Sequence, residues 1–242
     1  MRKCISIFLV AAACAALAAE DISFGFRPMP PYVMIDKDGH YSGLEYEIIE
    51  AALRIKGHTL KPSDYPLARL VATIKNKAVR GAAPILPSHD TGAFLSEPYI
   101  TYNNVAMALA RNKYNLQSPS DLKGKSVIAF QTAKNVLGPE FAKAMEGDTK
   151  YREDALQVVQ IRLLFAGRVD VAIGESRILN WFIRSKETEV DHSIPVSEFR
   201  IFKPTNYCAA FTDARLAEDF NEGLKTIMSN GTYDRIMAKY SN

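Results

Sequence analysis

Cysteine is scarce in this chain of 242 residues, which contains only Cys4, Cys14 and Cys208. Cys4 and Cys14 lie in an N-terminal segment that we expect to be removed, so Cys208 would have no partner within the chain. An internal disulfide is thereby excluded, and the hydrophobic core alone must stabilise the fold.

Excess charge and long apolar runs are also missing. The formal net charge is +3, and no cluster of basic residues marks a surface for nucleic acid or anionic lipid. Beyond the N-terminal segment, no apolar stretch approaches the ~20 residues that a transmembrane helix needs. We therefore expect no nucleic-acid partner and no membrane-spanning helix in the mature chain.

Catalytic and metal-binding motifs are absent as well. The chain contains no Gly-x-Ser-x-Gly, P-loop or Gly-x-Gly-x-x-Gly pattern. The four histidines are scattered, without the sequence spacing of metal ligands; they are His40, His58, His89 and His192. We therefore expect no metal and no cofactor.

The N-terminal segment is typical of an export signal. Arg2 and Lys3 precede an apolar stretch, and Ala16-Leu17-Ala18 has the small-x-small spacing that a signal peptidase recognises. A buried N-terminal helix is the alternative interpretation. We predict that residues 1–18 are a cleavable signal peptide, and that the mature protein is periplasmic and carries no lipid on Cys14.

After residue 18, short apolar runs typical of strands alternate with amphipathic helical segments in two cycles. The first cycle has predicted strands at 22–26, 59–60 and 81–85 and helices at 44–53 and 67–77. The second has predicted strands at 126–130 and 169–173 and helices at 136–145, 155–165 and 176–184, and helices at 216–229 and 233–240 end the chain. This alternation predicts an α/β fold with parallel sheets covered by helices on both faces.

Two extended apolar stretches, 104–111 and 198–211, fit neither cycle. We predict that the chain crosses between two lobes near Val105 to Ala110 and near Arg200 to Asn206. The last helices would then return to the first lobe. The predicted lobe 1 comprises residues 19–106 plus 204–242, and the predicted lobe 2 comprises residues 107–203.

Five short motifs follow one another along the mature chain. They are Pro30-Pro31-Tyr32 followed by Gly43-Leu44-Glu45, Leu95-Ser96-Glu97-Pro98-Tyr99, Asp121-Leu122-Lys123-Gly124-Lys125, Gly167-Arg168-Val169-Asp170, and Asn230-Gly231-Thr232-Tyr233. In this order they resemble the family 3 extracellular solute-binding proteins, the periplasmic receptors of polar amino-acid transporters. The resemblance implies the type II periplasmic-binding-protein fold, with two Rossmann-like lobes joined by two hinge strands and a ligand bound between them.

The resemblance also implies which residues bind that ligand. Glu175 matches the acidic position that takes the ligand's ammonium group, although it could instead be the N-cap of a helix. Gln131 and Thr132 match a loop whose N–H groups and hydroxyl contact a carboxylate. Thr132 and Asn135 could equally be helix caps, and Tyr32 would belong half to the core and half to the cleft wall.

Other positions depart from the family's pattern. His89 replaces the arginine that clamps the ligand carboxylate, and Met29 replaces the aromatic residue that covers the ligand. A substitute cation is therefore needed, and Arg69 and Arg27 are the candidates. His89 could act as a weaker, pH-dependent donor, and Arg69 could instead lie on a solvated helix face.

These features predict a binding protein and not an enzyme. We expect a monomer that captures an amino acid or related small molecule and delivers it to an ABC permease of the inner membrane. A ligand-sensing partner of a membrane receptor is an alternative, because it would need the same cleft. A dehydratase-like enzyme on this scaffold, with Glu175 as general acid, is the third possibility.

Overall fold

A computed structural model describes residues 19–240 of the chain. The predicted signal peptide, residues 1–18, lies outside the described residues. None of the helices in the described part combines the length and apolar character needed to cross a bilayer.

Strands and helices alternate through most of this region. The strands are β1 (Asp21–Phe26), β2 (Met34–Ile35), β3 (Tyr41–Ser42), β4 (Thr59–Asp64), β5 (Gly81–Ile85), β6 (Phe94–Tyr102), β7 (Asn104–Leu109), β8 (Val127–Phe130), β9 (Tyr151–Asp154), β10 (Val171–Glu175), β11 (Val196–Phe199) and β12 (Thr205–Phe211). The α-helices are α1 (Leu44–Ile55), α2 (Leu67–Lys75), α3 (Ala133–Val136), α4 (Pro139–Ala144), α5 (Gln157–Phe165), α6 (Ser176–Arg184), α7 (Ala214–Ser229) and α8 (Thr232–Lys239).

Two five-stranded sheets organise the molecule. The first has the order β4-β1-β5-β12-β6 and the second has the order β11-β7-β10-β8-β9. Strands β4, β1 and β5 are parallel, as are β10, β8 and β9. The sheets are not purely parallel as predicted, because β12 runs antiparallel to both of its neighbours, β5 and β6, and β7 runs antiparallel to both of its neighbours, β10 and β11.

The chain passes from one sheet to the other twice. Strand β6 ends at Tyr102 in the first sheet and β7 begins at Asn104 in the second, so the first passage is at Asn103. The predicted passage at Val105 to Ala110 is therefore placed too late, because β7 already pairs with β10 and β11. The return lies between β11 and β12, at residues 200–204, within the predicted range. The boundaries of the lobes themselves stay a prediction.

Both faces of each sheet are covered by apolar side chains. In β7, Val105 and Met107 belong to one buried cluster and Ala106 to another, as the two-residue period of a strand requires. In β12, Ala209 and Ala210 divide between two clusters in the same way. Helices α7 and α8 pack on α1, and α7 also packs on β6, so the last helices do return to the first sheet.

Two segments differ from the predicted elements for local reasons. The helix predicted at 136–145 is divided into α3 and α4, since Gly138 adopts a φ of 90° and Pro139 begins the new helix. Strand β9 was not predicted because it lies at the edge of the second sheet, where its charged residues are tolerated.

Candidate functional site

A cleft lies where the carboxyl ends of parallel strands from the two sheets meet. Arg27 follows β1 and the residues after Asp64 follow β4, while Gln131 and Glu175 mark the ends of β8 and β10 in the second sheet. Loops at this end of an open α/β sheet form the usual ligand site, because connections to the covering helices diverge there.

Three adjoining hollows make up the cleft, and Arg27 lines all of them. The inner hollow has a volume of about 30 Å³ and is lined by Arg27, Met29, Pro84, Tyr102, Asn104, Phe130, Gln157, Glu175, Ile178 and Tyr207. An outer hollow of about 470 Å³ lies between the loop after β4 and the start of α5. The third, of about 30 Å³, reaches from Leu86 and His89 to Thr132.

Arg27 provides the positive charge of the cleft. Its side chain is half-buried, and among the described residues it makes no hydrogen bond and no ion pair. A guanidinium in this state has its donors free for a carboxylate, which it can bind in a bidentate pair. Arg27 and Arg69 were the two candidates to replace the family's arginine, and of these Arg27 lines the cleft.

Glu175 provides a negative charge in the inner hollow. It is 2% exposed, and its carboxylate accepts the Ile178 N–H at 3.1 Å and the Asn103 N–H at 3.4 Å. The Arg177 guanidinium lies 3.8 Å away. Burial raises the pKa of this carboxyl, while the Ile178 N–H and Arg177 oppose the shift. Glu175 thus caps α6 and also lines the inner hollow, and its predicted contact with a ligand ammonium group stays a prediction.

The loop at Thr132 already holds a carboxylate from the protein itself. The Thr132 N–H donates to Glu153 Oε2 at 2.7 Å and the Lys134 N–H donates to Glu153 Oε1 at 3.1 Å. The Tyr151 hydroxyl also donates to Glu153 Oε1, at 2.7 Å. Gln131 and Thr132 line the cleft as predicted, but the N–H groups of this loop are engaged with Glu153. Because β9 was not predicted, this contact between Glu153 and the Thr132 loop was not predicted either.

Aromatic side chains form the inner wall. Tyr102 and Tyr207 lie with their ring centroids 4.5 Å apart, and Phe130 faces the same hollow. Met29 lines it as well, at the position predicted for ligand cover. The three aromatic residues were missed because strand residues face alternate sides, and the side that faces the cleft depends on the packing of the sheets.

A second buried carboxylate lies directly behind this wall. Glu45 is 1% exposed, and its Oε1 accepts the Tyr99 hydroxyl at 2.8 Å and the Tyr102 hydroxyl at 3.0 Å. Its other oxygen, Oε2, has no hydrogen-bond partner. Burial raises the pKa of Glu45 to about 7, against the opposing effect of the two tyrosine hydroxyls.

Three residues predicted for the site lie outside the three hollows. Tyr32 is fully buried behind Tyr102, with ring centroids 4.4 Å apart, and its hydroxyl interacts electrostatically with Glu175 and Arg177. Arg69 is exposed on α2, where its guanidinium lies 5.6 Å from the centre of the Tyr65 ring. Asn135 is exposed on α3. The resemblance to the family's motifs placed all three near the cleft, but a motif cannot show which way each side chain points.

His89 lies at the rim of the third hollow. Its Nδ1 accepts the Leu86 N–H at 3.2 Å, and burial lowers its pKa. The ring is thus held neutral, with Nε2–H as its remaining donor. A neutral imidazole is a weaker donor than the arginine of the family's pattern, and the predicted role of His89 as a ligand donor stays a prediction.

Gln157, at the first residue of α5, was not selected from the sequence. It is 6% exposed and lines both the inner and the large outer hollow. Its Nε2 lies 3.6 Å from Met29 Sδ, and its Oε1 has no partner. The only signal in the sequence was a polar residue beginning an apolar helix.

Among the described residues, one group has ligand atoms close enough for a metal, namely Asp36, Asp38 and His40, within 4.8 Å of one another. The sequence interpretation of scattered histidines overlooked it. The group is exposed in the β2–β3 turn, and Asp36 Oδ1 already accepts the N–H groups of Asp38 and His40. It lies outside the hollows of the cleft.

The two α/β sheets, the double passage between them and the cleft at their strand ends define the type II periplasmic-binding-protein fold. The model of the bacterial extracellular solute-binding proteins, family 3, matches residues 22–242. The chain belongs to this family, and it is a solute-binding protein.

Relatives of known identity agree with this assignment. The arginine-binding extracellular protein ArtP of Bacillus subtilis is 24% identical over 203 residues, which are 82% of this chain and 77% of ArtP. The arginine-, lysine-, histidine-binding protein ArtJ of Geobacillus stearothermophilus superimposes with a TM-score of 0.72 at 19% identity, covering 91% of this chain and 95% of ArtJ. An ancestral arginine-binding protein bound to arginine gives a TM-score of 0.73 at 18% identity, covering 92% and 98% of the two chains.

Proposed function

We propose that this protein captures an L-α-amino acid in the cleft between its sheets and delivers it in the periplasm to an ABC permease. The observation that carries the proposal is that Arg27 and Glu175 line the same hollow. The free guanidinium suits a carboxylate and the buried carboxylate suits an ammonium group, so together they complement a zwitterion.

The lining of the inner hollow supports a small polar ligand. Its walls combine aromatic surfaces with few polar groups, as ligand sites do. The outer hollow next to it leaves room for a side chain. That ArtP and ArtJ are named as binders of basic amino acids makes L-arginine the first ligand to test.

Binding is tested by a thermal-shift screen of the twenty standard L-amino acids followed by isothermal titration of the best one. A ligand at 100 times its dissociation constant should add about 2.7 kcal/mol to the free energy of unfolding. Since hinge closure accompanies binding in this fold, the scattering radius should fall on addition of the same amino acid. A protein that binds none of the twenty contradicts the proposal.

The role of Glu175 is tested by Glu175→Gln. The amide keeps an oxygen for the Ile178 N–H, so the cap on α6 is retained while the negative charge is lost. We expect binding of the selected amino acid to weaken by about 1.5–3 kcal/mol, the range for a hydrogen bond to a charged group. Unchanged affinity in isothermal titration would leave Glu175 as a helix cap alone.

Export and delivery are tested in the cell. Mass spectrometry of the periplasmic fraction should find a mature chain that begins at Ala19 and carries no lipid. Deletion of the gene should abolish uptake of the selected labelled amino acid at low concentration, and the wild-type gene should restore it. Normal uptake after deletion would instead favour a sensing role.

A further inference from the structure

Gln157 is buried, and its amide oxygen has no hydrogen-bond partner among the described residues. More than nine in ten buried polar groups in proteins have a hydrogen-bond partner, because an unpaired one costs free energy. The Gln157 side chain is 94% buried by its 6% exposure, yet its Oε1 has no partner and its Nε2 contacts only the sulfur of Met29. This amide lies at the junction of the inner and outer hollows.

The amide oxygen of Gln157 lies against Gly174 of strand β10. A Cβ placed on Gly174 would come within 2.9 Å of Gln157 Oε1, closer than such atoms approach in proteins. Glycine at 174 therefore leaves space for the amide oxygen against the last residues of β10. The next residue along that strand is Glu175, whose carboxylate lines the same inner hollow.

We infer that Gln157 is a specificity-determining residue, and that its Oε1 accepts an N–H of the ligand's α-ammonium group beside the Glu175 carboxylate. The inference rests on the proposed function and deepens it. An ammonium group has three donors, and Glu175 already accepts two N–H groups from the backbone. A second acceptor in the hollow selects ligands that carry an α-amine over the corresponding plain carboxylic acids.

A second glutamine on the same helix offers a matched control. Gln160 lies one helical turn from Gln157, is fully buried, and has no partner for either amide atom. Unlike Gln157, it lines none of the three hollows of the cleft. A ligand therefore relieves the unpaired state of Gln157 and leaves that of Gln160 unchanged.

The test compares Gln157→Leu and Gln160→Leu, each of which removes the amide and keeps the side-chain volume. Isothermal titration uses L-arginine and 5-guanidinopentanoate, which is L-arginine without its α-amine. Should the thermal screen select another amino acid, that amino acid and its own desamino acid replace them. We expect Gln157→Leu to weaken binding of L-arginine by about tenfold and binding of 5-guanidinopentanoate by no more than about twofold.

Stability separates this role from a structural one. Removing an unpaired buried amide should leave the melting temperature of the unliganded protein equal or higher in both variants. Gln160→Leu should bind both compounds as the wild type does. If Gln157→Leu does not fold, Gln157→Met, which keeps an unbranched chain of similar length, takes its place.

Two results would overturn the inference. One is wild-type affinity of the Gln157 variant for L-arginine, and the other is an equal loss for L-arginine and 5-guanidinopentanoate. Failure of the wild-type protein to bind any standard amino acid contradicts the proposed function itself, and the inference falls with it. Amino-acid binding by the wild type therefore distinguishes failure of the inference about Gln157 from failure of the proposed function.

Discussion

Arg27, on the wall built from the first sheet, and Glu175, on the wall built from the second, line the same hollow, but only Glu175 is already bonded within the protein. The contrast extends to their neighbours. Glu45, behind the first wall, has an oxygen without a partner, whereas Glu153, on the second, holds the N–H groups of the Thr132 loop. Charged groups of the first wall therefore have hydrogen-bonding capacity that the protein does not use. Those of the second wall mostly bind backbone N–H groups of a loop and of a helix end.

The difference teaches how a family's binding residues should be transferred to a new sequence. Residue type and position matched the family equally well at Glu175 and at the Thr132 loop. Glu175 is hydrogen-bonded but still lines the inner hollow, whereas the N–H groups of the Thr132 loop are engaged with Glu153. Availability for a ligand is thus a property of the partners that surround a residue in the fold.

The largest expected effect belongs to Glu45, the buried carboxylate behind the first wall. Burial raises its pKa from 4.5 to about 7, so the folded state holds the proton more tightly than the unfolded state. The contribution of Glu45 to stability should therefore be greatest below pH 4.5 and fall by up to about 3 kcal/mol as the pH rises through 7. Glu45→Gln, which cannot ionise, should lose this dependence and exceed the wild type in stability at pH 8.

Urea unfolding of the unliganded protein between pH 4 and pH 8 measures this effect. Glu50→Gln is the control, because Glu50 lies on the same helix and pairs at the surface with Arg54. Its pH profile should follow that of the wild type. If the free energy of unfolding depends on pH equally in Glu45→Gln and in the wild type, the ionisation of Glu45 does not affect stability.

The next effect concerns the free cation of the first wall. Arg27→Met should weaken binding of L-arginine by about 1.5–3 kcal/mol through loss of the charged hydrogen bonds to its carboxylate. Stability should change little, since Arg27 makes no hydrogen bond and no ion pair among the described residues and is only half-buried. Agmatine, which is L-arginine without the carboxylate, should bind the variant and the wild type alike in isothermal titration.

Arg69→Ala provides the matched control for that measurement. Its guanidinium is exposed over Tyr65 and lines none of the three hollows, so L-arginine affinity should stay at the wild-type value. A loss at Arg69 with none at Arg27 would reverse the assignment of the carboxylate anchor.

The smallest expected effect tests the second wall. Glu153→Ala removes the acceptor of the Thr132 and Lys134 N–H groups, and because the site is exposed, water can replace it. We expect a loss of about 1 kcal/mol in the free energy of unfolding and no loss of L-arginine affinity. Glu140→Ala, at an exposed position on α4, should change neither quantity. Abolished binding in Glu153→Ala would make Glu153 a ligand contact.

The sequence by itself determined the order of the elements and the class of the fold. Runs such as Gly81–Ile85 and Ser176–Arg184 were predicted with the bounds that the structure has, because strand and helix periodicity are local properties of the chain. The edge strand β9 and the break at Gly138 were missed, since an edge tolerates charge and a helix break depends on backbone angles.

For the site, the sequence supplied candidates and the tertiary structure chose among them. Motif positions pointed to Glu175, Gln131 and Thr132, and the need for a cation pointed to Arg27 and Arg69 alike. Packing decided that Arg27 faces the cleft and that Tyr32 lies behind Tyr102. Contacts such as that of Thr132 with Glu153 join residues 21 positions apart, and Gln157 meets Met29 across 128. No local pattern encodes such distances, so the fold alone decided which polar groups are left for a ligand.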